Sequence, residues 1–140
     1  MALRYAKQSS SYMIGSSDTA ATLTAAYTGN QVSFPAPAYD YAILYVEYTP
    51  TDSSRNAFVQ VEGGPTSADF FPKTAGVDDI NGNTTLLDHI GKIAGTTGGT
   101  TYKKRWEVPI NDRFLRISIK EDGSSTFGTA KVQILLRHHN

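Results

Sequence analysis

A chain of 140 residues with 39% hydrophobic content is one domain's worth of polypeptide, large enough to bury a core without metals or disulfides. It has no cysteine, which excludes a disulfide framework, a thiol nucleophile and thiolate metal sites. Formal net charge is zero, yet residues 1–100 carry −4 and residues 101–140 carry +4. Six of the basic residues in that last segment, Lys103, Arg105, Arg113, Arg116, Lys120 and Lys131, fall at alternating or loop positions. That is the pattern of ordinary solvated faces and argues against nucleic acid as a partner. The split suits instead copies of the chain, or a copy and a partner, meeting in a set orientation.

Residues 1–18 are polar and serine-rich, with Leu3, Tyr5, Tyr12 and Ile14 at neither helical nor strand period. The expectation is an extended amino-terminal arm, either an extra strand on the domain's own sheet or an arm lying on a neighbouring subunit. Those four side chains would be its interface residues, and residues 19–140 a single domain. No uninterrupted apolar segment follows Arg4 and Lys7, so a secretory signal is not expected. The longest apolar run, Tyr41 to Val46, is far short of the ~20 residues of a membrane helix, and no membrane partner is expected.

Thr19 to Thr28 reads as a strand because its four threonines outweigh its alanines. Gln31 to Phe34 alternates before Pro35 and Pro37. Ala42 to Tyr48 is apolar on both parities except at Glu47, the signature of a central strand buried on both faces. Ala57 to Val61, Trp106 to Ile110, Phe114 to Ile119 and Lys131 to Arg137 are expected to pair beside it. The polar connector Thr49 to Asn56 suits a hairpin with a longer loop, and Glu121 to Ser125 a tight hairpin turn. From Thr66 to Thr101 regularity is lost; short strands near Asp69 to Pro72 and Thr84 to Leu87 are expected there, with Thr96 to Thr101 as an exposed loop tip. About eight strands and no helix predict an all-β, antiparallel two-sheet β-sandwich, jelly-roll or Greek-key like. Its predicted core is Ile43, Leu44, Val46, Val59, Val61, Trp106, Val108, Leu115, Ile117, Ile119, Val132 and Ile134.

Candidate chemistry is sparse. His138 and His139 are adjacent and so project to opposite sides of an extended chain, and His89 has no second imidazole or thiol nearby in sequence. Asp78 to Asn83 resembles a calcium loop, but aligning Gly82 with the loop glycine puts Val77 where the first oxygen ligand belongs. No serine stands in a nucleophile elbow. The chain is therefore expected to be no enzyme and to need no metal or cofactor. Tyr39, Tyr41, Tyr45 and Tyr48 crowd one segment, which suits core or subunit interface, or stacking on sugar rings.

Phe58 to Pro65, Tyr102 to Ile110 and Phe114 to Glu121 together resemble small structural proteins of tailed-bacteriophage virions. The shared pattern is a strand ending in Glu-Gly, a basic strand ending in Val-Pro, and an Arg-Ile-Ser-Ile-Lys strand. The resemblance implies a capsid decoration, auxiliary or neck component in the virion, made in the host cytoplasm. It further implies a homo-oligomer, most simply a trimer, in contact with capsid or neck proteins, and it carries no catalytic residues. The alternative is a carbohydrate-binding β-sandwich module.

Overall fold

The computed structural model describes residues 9–27, 32–35, 39–73, 77–78, 84–85, 89–123 and 125–138. Among them every regular element is a strand: β1 (Ser9–Ile14), β2 (Ala21–Thr22), β3 (Val32–Pro35), β4 (Tyr41–Thr49), β5 (Arg55–Gly64), β6 (Phe71–Pro72), β7 (Val77–Asp78), β8 (Thr84–Thr85), β9 (Gly91–Gly95), β10 (Tyr102–Pro109), β11 (Phe114–Glu121) and β12 (Thr129–Arg137). Two antiparallel sheets pack face to face as a β-sandwich. The first has the order β1-β12-β4-β10, with β2 also on β12; the second has the order β3-β11-β5-β6, with β9 also on β5. β7 and β8 form a separate two-stranded ladder.

The long strands are legible because apolar residues recur at every second position, with a break at Lys104 in β10, and so present one face to the core. Ala42, Leu44, Val46 and Tyr48 of β4 meet Val59, Val61, Leu115, Ile117 and Ile119 of the opposite sheet, with Val132 and Ile134 of β12 beside them. Every predicted core residue is buried except Trp106, which is half-buried. Ile43 is buried too, but on the other parity of β4, outside the main cluster. β4 is therefore interior to its sheet without being buried along both faces, since Tyr45 on the same side as Ile43 is 39% exposed.

Several expectations need correction. β5 and β11 do not pair beside β4; they form the centre of the opposite sheet, and only β10 and β12 flank β4. The connectors after β4 and after β11 are accordingly crossovers between sheets rather than hairpins. Loop length alone does not separate the two cases, because the sheets' ends lie close enough for the same few residues to span either. Of the strand expected over Thr19 to Thr28, the described residues form only the two of β2, followed by Leu23, which is buried. Of the two alternatives for the arm, Ser9–Ile14 takes the first, an extra strand on the domain's own sheet. It pairs with the chain's own β12, and Ile14 is 4% exposed in the core, so the body begins well before residue 19 and Ile14 is not an interface residue. Backbone pairing to β12 and one buried side chain are enough to hold a segment that lacks an apolar stripe. Leu3 and Tyr5 lie outside the described residues, as do Asp79, Asn81 and Asp88 of the calcium-like stretch.

β9 was not foreseen. Its Ile93 is buried, while Gly91 lies under the Trp106 indole so closely that a Cβ there would collide with the ring. The ring thus caps the open side of the sandwich at β10. Trp106→Ala is expected to cost about 2 kcal/mol in chemical denaturation, below the roughly 3–5 kcal/mol of a fully buried aromatic; a loss under about 0.5 kcal/mol would show that the ring does not rest on β9.

Candidate functional surface

The first sheet turns its second face outward, and its register fixes which side chains share a row. Tyr12, Gln133, Tyr45 and Arg105 stand side by side across β1, β12, β4 and β10. The next row on one side holds Leu135, Ile43 and Glu107, and on the other Lys131, Glu47 and Lys103. Tyr12 and Tyr45, at 38% and 39% exposed, are two of the three large apolar side chains that the described residues leave in water, with Phe71. Tyr45, Glu47, Lys103, Lys104, Arg105 and Gln133 line an open groove of about 400 Å³.

Electrostatics pre-order this surface. The Arg105 guanidinium donates to Glu107 Oε1 at 3.0 Å, and the neighbouring Tyr45 side chain together with that carboxylate holds its pKa above the ordinary arginine value. Lys103 Nζ lies 3.5 Å from Glu47. The Tyr45 ring stands exposed beside Arg105, and an aromatic side chain with few rotatable bonds loses little entropy when something packs on it.

A second cluster closes one end of the sandwich. Tyr48 donates its hydroxyl proton to Glu121 Oε2 at 2.5 Å, and the Gly128 N–H donates to the same carboxyl at 3.2 Å. The Asn56 backbone N–H and side-chain amide donate to the two Asp122 oxygens at 2.6 Å each. Arg55 reaches Asp52 at 3.3 Å and the carbonyls of Asp122 and Ser125 at 3.1 and 3.2 Å. The loops after β4 and β9 are joined by Gly99 N–H to the Pro50 carbonyl at 2.7 Å and by the Thr49 and Thr101 hydroxyls at 2.8 Å. These groups satisfy one another and clamp three crossovers; none is arranged as a nucleophile with a base.

The histidines take structural neighbours. His89 sits edge-on to the Phe58 ring, and His138 stacks on Tyr39 with Asp40 at 3.8 Å; His139 lies outside the described residues. Among the described residues no three metal-ligating side chains come together. Of the two predicted interface residues that are described, Tyr12 lies on the aromatic row and Ile14 in the core. Sequence reading missed that row because Tyr12, Tyr45, Arg105 and Gln133 become neighbours only through strand order; alternation placed Arg105 and Gln133 on outward parities, whereas Tyr12 fell at no strand period and Tyr45 on a strand expected to be buried on both faces.

Fold and surface define a β-sandwich with a mixed aromatic and basic sheet face. The chain matches no protein-family model, no curated protein and no solved structure.

Proposed function

We propose that this chain is a non-enzymatic virion structural protein, a capsid decoration, auxiliary or neck component that self-associates. The supporting observation is the Tyr12–Gln133–Tyr45–Arg105 row. Tyrosine and arginine are the residues that protein interfaces concentrate, and a tyrosine ring loses little freedom when it is covered. The three strand motifs that carry the resemblance to phage virion proteins lie on β5, β10 and β11, within the rigid body of the sandwich. Light scattering of the full chain should give a mass above one chain, and Tyr45→Ala should weaken the assembly. A strictly monomeric protein would overturn the reading.

One observation favours a second reading. Tyr12 and Tyr45 are separated only by β12, about 9.5 Å at the usual strand spacing, with the Gln133 amide between them. Two rings at that interval with a planar hydrogen-bonding group between suit consecutive sugar rings of a glycan. A monomer whose amide signals shift at residues 12, 45 and 133 on addition of an oligosaccharide would replace the first reading by this one.

A further inference from the structure

We infer that the outer edge of β10 is a homodimer contact, in which two copies join across a two-fold axis through Trp106 to make one continuous sheet. The inference rests on the self-association proposed above and adds to the sheet face the edge at which its row ends, at Arg105. β10 closes its sheet on one side, with eight residues in unbroken register with β4. No described strand or loop backbone bonds to its other side. The alternative edges are poorer templates: β1 carries a register irregularity between Tyr12 and Ile14, β3 has four residues and β6 two. A long, regular, unpaired edge presents backbone donors and acceptors to another strand.

Charge selects both partner and register. In a two-fold antiparallel pair each residue on the axis faces its own copy, and opposite residues point to the same face of the sheet. An axis at Lys103, Lys104, Arg105 or Glu107 sets that charge against its twin, which is destabilising. An axis at Trp106 sets Arg105 against the partner's Glu107 and Glu107 against the partner's Arg105. It places Lys104 against the partner's Val108 and Lys103 against the partner's Pro109, and brings the two indoles together. Basic residues on an edge normally discourage pairing; here the charges disallow the registers centred on residues 103, 104, 105 and 107, and of the uncharged centres Trp106 is the one away from the ends of β10, so it pairs most of the strand. Arg105 and Glu107 already touch within one chain at 3.0 Å, so each need only re-aim by one strand spacing. The contact is isologous and builds pairs, which sets it apart from the three-fold arrangement that the resemblance implies.

The test is charge reversal on the full-length chain, read by light scattering, with circular dichroism to verify the fold. Wild type should have the mass of two chains, Arg105→Glu and Glu107→Arg each the mass of one, and the double variant that of two again, because the swap restores both cross-axis pairs. A monomeric wild type overturns this contact and the self-association reading alike. A three-chain mass, single reversals that leave the assembly intact, or a double variant that stays monomeric each overturn the β10 contact alone.

Discussion

Glu121→Ala is expected to destabilise the protein by about 3 kcal/mol, since it strands two buried donors at roughly 1–3 kcal/mol each. Glu121 and Tyr48 are both fully buried, and the Tyr48 hydroxyl and the Gly128 N–H end on the one carboxyl. Gly128 approaches the Thr49 carbonyl too closely for a Cβ, so the backbone there has little room to turn its N–H toward another acceptor. Urea unfolding measures the loss; a change below about 1 kcal/mol would mean that water reaches the carboxyl. The pH dependence of Tyr48→Phe reads the other side of the same bond. Burial, followed by the Glu121 hydrogen bond, pushes the Tyr48 hydroxyl well above its ordinary value. As pH rises past about 10 the unfolded tyrosine gives up its proton while the native one keeps it, so stability from this group is complete below that pH and falls above it. Tyr48→Phe has no such proton. It should be less stable than wild type at neutral pH, and the gap should close as pH climbs past about 10. A gap that stays constant would show that the native hydroxyl titrates as it does in water.

Ile117→Ala is expected to cost about 4 kcal/mol, near the upper part of the range for deleting a buried aliphatic side chain. Ile117 lies at the centre of β11, directly between Val61 of β5 and Val32 of β3, and is fully buried in the main cluster. Its backbone is paired on both sides within its sheet and its side chain is buried among those of the core, so the surroundings have little freedom to collapse into the void. A loss under about 2 kcal/mol, measured by the denaturation midpoint at constant slope, would indicate that the two sheets close over the gap. The large value matters for function, because a surface built from strand register works only while the two sheets hold that register.

The all-β class, the long strands and nearly all of the core were legible in the sequence. Leu115, Ile117, Ile119, Val132 and Ile134 alternate with polar residues, and period-two alternation specifies both the element and its buried face without reference to any other part of the chain. The short strands near Phe71 and Thr84 were marked by their flanking Gly and Pro residues, whereas β9 was hidden: Gly91 and Gly95 weaken strand propensity, and only the Trp106 ring above one and the Tyr48 and Pro50 side chains beside the other explain them. Glu121 read as the polar start of a turn. Its burial is decided by two groups distant in sequence or fixed by a crossover, Tyr48 and Gly128. Which sheet each strand joins was not legible either, because a polar connector of a given length serves a hairpin and a crossover equally well. The row of Tyr12, Gln133, Tyr45 and Arg105 follows from that choice. Alternation within each strand belongs to the sequence alone; adjacency between strands, and with it the candidate surface and the unpaired edge of β10, exists only once tertiary packing has set the strand order.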